Sequence, residues 1–331
     1  MNDDAFSRCH PVVNFFYFVI VLGFTMFMQH PVFLLISFLG STVYAVWLNG
    51  WKKVLKMNFL FTLPGLMIVA FMNPLFNHYG VTTLLYVESS GNAVTLEALV
   101  YGIVLGCVLF IVIQWFSCYN RVMTSDKFIY LFGKAIPALS LILSMALRFV
   151  PRFSAQLTVI RNGQKCAGRD ISNGGLIRKI RCGLSMLSIL VTWALENAIE
   201  TADSMKSRGY GLKGRTAFSI YRFDTRDKIL GTFLMICFLV FAAGCGQGAA
   251  FAQYNPRILL AGFTVQGYEA PIECPPVLNA LTFISFASFC MAPLMLDIFE
   301  YVTMKRAQSH VKEEAVMTYR KIYEELEESM T

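Results

Sequence analysis

Charge is what this sequence holds least of. Asp, Glu, Lys and Arg make up 15% of its 331 residues, against about 25% in a soluble globular protein. So little charge cannot cover a water-exposed surface, which argues against a soluble enzyme and excludes a disordered or nucleic-acid-coating protein. No Gly-x-x-x-x-Gly-Lys-Ser/Thr loop occurs, so the chain has no Walker-type phosphate cradle, and any ATP-driven step needs its nucleotide on separate subunits. The four His (His10, His30, His78, His310) lie far apart and no Cys pair has metal-ligand spacing. No metal site is therefore expected. A basic n-region is missing too: the chain starts Met1-Asn2-Asp3-Asp4, and no small-residue cleavage site follows the first apolar stretch. That stretch is expected to be a retained helix rather than a signal peptide.

What fills the chain instead is apolar: 56% hydrophobic residues, 29 Phe among them, and a mean hydropathy of +0.55. A helix needs about 20 apolar residues to cross ~30 Å of hydrocarbon. Six stretches qualify, from about Val12 to Met28, Val32 to Leu48, Leu55 to Met72, Leu96 to Phe116, Ile229 to Ala243 and Val277 to Tyr301. Alternating them puts 73–95, 244–276 and the Gln29-His30-Pro31 turn on one side, where Arg257 is the single basic residue. The other 27 of the 28 Lys and Arg lie on the opposite side or in segments attached to it. The positive-inside rule makes that side cytoplasmic. The expectation is an all-α integral membrane protein with six transmembrane helices, multi-pass in the cell membrane, with both termini in the cytoplasm. Cys245 and Cys274, on the outer side, are the one pair placed to form a disulfide.

Residues 121–228 do not read as spans. They carry 18 Lys and Arg against 7 Asp and Glu, a net of +11, which exceeds the +7 of the whole chain and leaves the rest net negative. Ser125-Asp126 opens a short helix that Gly133 and Pro137 end. A long helix then runs from about Ala138 to Gly163, apolar all round at first and later amphipathic, with Arg148, Arg152, Arg161 and Lys165 against Phe149, Phe153, Leu157 and Ile160. Asn173-Gly174-Gly175 breaks the chain, and a second long helix follows from Leu176 to about Arg208, with Gly209 where a C′ glycine ends a helix. Such helices suit the cytoplasmic face, crossing through their apolar middles with charged ends projecting toward a partner. The alternative is that 139–150 and 184–198 are two further short spans, although apolar cores of ~12–15 residues are short for a perpendicular crossing.

Three motifs carry a family resemblance. Asn73-Pro74-Leu75-Phe76-Asn77-His78-Tyr79-Gly80 resembles the loop signature of the transmembrane coupling component of energy-coupling factor (ECF) transporters, the EcfT/CbiQ family. Leu147-Arg148-Phe149-Val150-Pro151 resembles the start of that family's first long coupling helix, with Arg148 and Pro151 as its marks. Ala202-Asp203-Ser204-Met205-Lys206-Ser207-Arg208-Gly209-Tyr210 is similar to its second arginine motif. The motifs fall in the family's order within the same six-span layout, over most of 10–306.

The resemblance implies a non-catalytic subunit that binds two cytoplasmic ABC-type ATPase subunits and a small membrane subunit (S) capturing a vitamin or metal ion. ATP would be bound by the partners. It places ATPase docking at Ser207, Arg208 and Gly209 and at a matching first motif, where this chain departs: after Gln164-Lys165 it has Cys166-Ala167-Gly168, with Ala167 where the arginine is expected and Arg169 two residues on. Either Arg169 serves after a small shift, with Lys165 contributing, or this end docks differently. Asn73, Pro74, Phe76, His78 and Gly80 would be the family's loop residues. The implied division is 1–120 for spans one to four, 121–228 for the coupling helices, 229–304 for spans five and six, and 305–331 for an amphipathic tail with no role assigned. A dedicated cobalt- or nickel-type importer subunit is the neighbouring alternative.

Arginine suits such a docking point for reasons independent of family. Its guanidinium stays charged and offers five donors in a fixed fork, and at a helix C-terminus it meets the negative end of the macrodipole. Several residues have plainer readings. Asn73-Pro74 reads as a turn closing the third span, Asn77 and His78 as satisfied loop polars rather than substrate contacts, and Gly244–Gly248 as the end of the fifth span. Asp297 and Glu300 are expected at the membrane interface, close to Lys305 and Arg306. Asp224 and Asp227 have the Asp-x-x-Asp spacing of an intramembrane lipid-phosphate transferase, but lie among Arg222, Arg226 and Lys228 with no second acidic cluster nearby.

Overall fold

The structure, a computed structural model, describes residues 4–77, 80–87, 92–133, 136–168, 175–210, 212, 221–263 and 275–330. Their helices are α1 (Pro11–Phe27), α2 (Pro31–Asn49), α3 (Trp51–Met57), α4 (Leu63–Phe76), α5 (Leu96–Val122), α6 (Ser125–Gly133), α7 (Pro137–Cys166), α8 (Leu176–Ser207), α9 (Thr225–Gly246) and α10 (Pro276–Met330). A π-helical turn, Asn58–Thr62, joins α3 to α4 in one continuous helix. Two antiparallel pairs complete the description: β1 (Thr83–Val87) with β2 (Asn92–Thr95), and β3 (Ala252–Gln253) with β4 (Leu259–Leu260).

Six helical segments are long and apolar enough to cross a membrane: α2, α3–α4, α5, α8, α9 and Pro276–Ser309 of α10. Five of them match expected spans. The expected first span is α1, apolar but only 17 residues, or ~26 Å, at the lower end of what spans. The sixth is α8, expected at the cytoplasmic face. Its uncharged interior, from Cys182 to Leu195, is 14 residues, ~21 Å against a ~30 Å hydrocarbon core. The 307–331 tail is not a separate short helix, because α10 continues through it to Met330.

The chain divides into two units, Met1–Thr124 with Phe223–Thr331, and Ser125–Arg222. In the first, His-Pro appears twice at a helix start: His10 and His30 are N-caps whose side chains accept the N–H of Val12 and Val32, and Pro11 and Pro31 take the first helical position. Their helices bury an aromatic core. Tyr17 stacks on Phe289 with centroids 5.3 Å apart and meets Phe6 and Trp115 edge-on, while Phe241 stacks on Phe286 at 5.0 Å. Hydroxyls bind the spans where no water competes: Trp115 Nε1 donates to Ser37 Oγ at 2.9 Å, Ser41 and Thr42 donate to Gln114 Oε1, and Ser285 donates to the Cys237 carbonyl.

Helices α4 and α5 approach through two glycines one turn apart. A Cβ on Gly102 would stand 2.8 Å from the Ala70 carbonyl oxygen and 2.9 Å from Asn73 Cβ; on Gly106 it would stand 2.9 Å from the Leu66 carbonyl oxygen. Pro74, inside α4, has no N–H to return to the Ala70 carbonyl, so the chain leaves that carbonyl facing the gap Gly102 makes. The helix does not close before the proline, as the sequence suggested. It runs through Pro74 to Phe76 with Asn77 as C-cap.

Asp297 has a partner that its sequence neighbours do not show. It is only 5% exposed, and Oδ1 accepts the backbone N–H groups of Ala5 and Phe6 at 2.6 and 3.2 Å. Glu300, one turn on, pairs with Arg8 at 2.8 Å and Arg226 at 3.1 Å. These contacts tie the N-terminal segment to α9 and α10 across nearly the whole sequence, which no local pattern could reveal.

His30, in the α1–α2 turn, is fully buried, with Nδ1 accepting from Val32 and Nε2 placed 3.2 Å from the Ala261 carbonyl oxygen. That pattern assigns the neutral tautomer with the proton on Nε2. Burial lowers its pKa below the ordinary 6.5, against the opposing pull of the Ala261 bond. A base whose folded pKa is depressed contributes stability that is full above its unfolded pKa and is lost as pH falls below it. The thermal midpoint in detergent is therefore expected to fall between pH 7 and 5 more steeply for the wild type than for His30→Gln. Equal slopes would contradict this.

Candidate functional site

The second unit is the helix pair that carries the candidate docking residues. Phe153 and Trp193, each near the middle of its helix, meet edge-on with centroids 5.9 Å apart, and Ile160 and Met186 are buried. The two helices thus touch near their middles, while Ile142, Val150, Leu184, Leu187 and Leu195 of their apolar stretches stay exposed. Arg148 and Pro151 stand exposed in the first half of α7, with Pro151 inside the helix.

Both long helices end in the same way. In α8, Arg208 is the C-cap; Gly209 follows at φ +78°, its N–H donating to the Lys206 carbonyl at 3.0 Å, and the Tyr210 N–H reaches back to Met205 at 3.0 Å. These two bonds are the Schellman closure, and only glycine takes the positive φ without strain. Ser207 Oγ donates back to the Ser204 carbonyl at 2.9 Å, which leaves the Arg208 guanidinium as the exposed, projecting group, without an ion pair among the described residues. In α7, Ala167 is the C-cap and Gly168 follows at φ +74°, donating to Lys165 at 3.1 Å. Lys165, Cys166, Ala167 and Gly168 thus occupy the backbone positions of Lys206, Ser207, Arg208 and Gly209. Ala167 stands where Arg208 stands on the other helix, and Lys165 is exposed. Arg169 lies outside the described residues.

Two residues of the loop signature, Asn73 and Gly80, pack against the first turns of α5. Asn73 lies against Gly102, and the Asn77 amide donates to Asn73 Oδ1 at 3.0 Å, so it is a satisfied polar that also lines a cavity of about 360 Å³ with Tyr101 and Gln253. Gly80, at φ +147°, passes so close to Glu97 and Thr95 that a Cβ would stand 2.5 Å from Glu97 Oε2. Glu97, itself buried, accepts from the Thr82 hydroxyl at 2.8 Å and from the Thr82 N–H. Gly80→Ala is therefore expected to loosen the 80–97 hairpin, read as faster proteolysis there without loss of the spans. Phe76 is exposed, and His78 lies outside the described residues, as does Cys274 of the pair considered for a disulfide.

Asp224 and Asp227 form a reciprocal capping box at the start of α9, and Asp227 Oδ1 also accepts the His10 N–H at 3.2 Å. Their oxygens hold backbone rather than face a substrate. Among the described residues no group of three or more His, Cys, Asp and Glu side chains is placed to hold a metal ion. The glycine run closes α9, with Gln247 as C-cap and Gly248 at φ +87°.

No family model matches the chain. Curated relatives do. A protein named energy-coupling factor transporter transmembrane protein EcfT from Lactobacillus helveticus is 34% identical over 108 residues, 32% of this chain and 39% of the relative. The EcfT protein of Lactococcus lactis is 36% identical over 99 residues, 30% and 37% of the two chains. That of Lacticaseibacillus paracasei is 26% identical over 198 residues, 57% of this chain and 75% of the relative. The first two matches thus span well under half of those relatives' length, and the third spans three quarters. Over those stretches the chain is similar to the energy-coupling factor transporter transmembrane proteins, and its six long apolar helices agree with a multi-pass membrane protein.

Proposed function

We propose that the chain is the transmembrane coupling subunit of an ATP-driven, ECF-type importer. It docks two cytoplasmic ABC-type ATPase subunits through the ends of α7 and α8. It passes their movement to a small membrane subunit that captures a vitamin or metal ion. The carrying observation is the pair of long helices in contact near their middles and each closed by a positive-φ glycine, one of them presenting an exposed Arg208 beside Gly209. The charge distribution along the sequence supports a cytoplasmic position for this pair and for both termini. Ser207 and Lys165 contribute to docking, and the substrate is chosen by the capture subunit.

Affinity purification of the tagged chain from its own membranes in mild detergent tests this. Two ATPase polypeptides and one small membrane protein are expected at near-stoichiometric yield. Recovery of the chain with no ATPase would overturn the proposal.

A further inference from the structure

The two helix ends share a backbone and differ in side chain, so they cannot dock alike. Where α8 presents Arg208, α7 presents the methyl group of Ala167. What α7's end has instead is a groove. A cavity of about 1030 Å³ opens between Gln164, in the last turn of α7, and the first three turns of α8, lined there by Leu176, Ile177, Arg178, Arg181 and Ser185. Arg178 and Arg181 are three residues apart and Ser185 four further on, which puts all three on one helix face. Both guanidiniums are exposed and without an ion pair among the described residues. Leu176 and Ile177 beside them are 75% and 77% exposed. Gln164 Oε1 is buried in the same wall with no hydrogen-bond partner. Between Gly175 and Leu195 the chain has no acidic residue, and Lys179 adds a third cation to this stretch. The groove is thus lined by cationic and apolar side chains side by side, with a buried acceptor that has no partner among the described residues.

We propose that the α7 end is a receiving site: the groove between Gln164 and the start of α8 takes an acidic, aliphatic-flanked segment of one ATPase subunit, with Arg178 and Arg181 pairing its carboxylates. This rests on the docking reading above and gives the two ends opposite roles. The α8 end inserts an arginine into its partner; the α7 end accepts a partner's acid. Two forked guanidiniums at this spacing hold carboxylates bidentately, while Leu176 and Ile177 exclude water around the pair. The groove therefore supplies the charge that Ala167 does not, without needing the helix end to shift.

The test uses the full chain co-expressed with its ATPases and measures ATPase affinity in detergent for four forms. Arg178→Glu/Arg181→Glu is expected to weaken association at least tenfold, Arg178→Gln/Arg181→Gln to weaken it less, and Arg178→Lys/Arg181→Lys, which keeps the charge but loses the fork, to weaken it least. Because both side chains are exposed, the variants should share the wild-type thermal midpoint, and the Gln pair decides the matter if the Glu pair misfolds. Arg208→Glu is the parallel arm. If Arg208→Glu weakens binding while the Glu and Gln pairs bind like wild type, the docking reading stands and the groove proposal is overturned. If no variant weakens binding, both fall.

Discussion

Replacing Gly102 with leucine is expected to separate α4 from α5 and to prevent recovery of a monodisperse protein. The first added atom already stands 2.8 Å from a backbone oxygen and 2.9 Å from Asn73 Cβ, and a backbone carbonyl cannot rotate aside as a side chain can. Overpacking of a close interface costs about 1–3 kcal/mol or more, and helices in a membrane associate through close backbone approach rather than a hydrophobic drive. Gly102→Ala and Gly106→Ala should each lower the thermal midpoint, since Gly106 meets the Leu66 carbonyl at 2.9 Å in the same way. Gly231 in α9 is the control: nothing lies within 4 Å of its would-be Cβ, so Gly231→Ala should be neutral or stabilising by up to ~1 kcal/mol. Equal effects at positions 102 and 231 would show that α4 and α5 do not meet as described.

Arg208→Glu is expected to abolish stable association with the ATPase subunits while leaving the thermal midpoint of the isolated chain unchanged. The side chain is exposed and holds no other part of the chain by an ion pair among the described residues. The cap itself uses backbone groups and Gly209, so it survives the change. At an interface, truncating one partner of a buried, hydrogen-bonded charge pair costs about 2–5 kcal/mol. Reversing the charge adds repulsion to that loss, so at least a ~100-fold weaker complex is expected. Arg208→Lys should lie between, because a point charge replaces a fork. Retained affinity in the Glu variant would remove Arg208 from the docking surface.

What could be read in the sequence was local. Gly209 ends α8 and Leu176 begins it because a positive-φ glycine and a Gly-Gly break act within a few residues. The spans were legible from runs of apolar residues, although α1 proved short and α8 long and apolar enough to count beside them. The partners of Asp297, the Ala5 and Phe6 amides, were not legible because they lie more than 290 residues away. The four-residue spacing of Gly102 and Gly106 was a signal available in the sequence, yet only the structure names Ala70 and Leu66 as what they admit. Gly80 likewise acquires its reason from Glu97, a residue seventeen positions on. The missing arginine at Ala167 was visible as a departure from a pattern, but the groove between Gln164 and the start of α8 depends on how the two helices meet.

The central claim is that the α8 end touches an ATPase subunit. A photoreactive residue at position 207, leaving Arg208 intact, tests it most directly in membranes that contain the whole complex, because Ser207 is exposed next to the guanidinium. Illumination is expected to give one dominant adduct, with a nucleotide-binding subunit. An adduct with lipid, with the capture subunit alone, or with no protein at all would contradict the account.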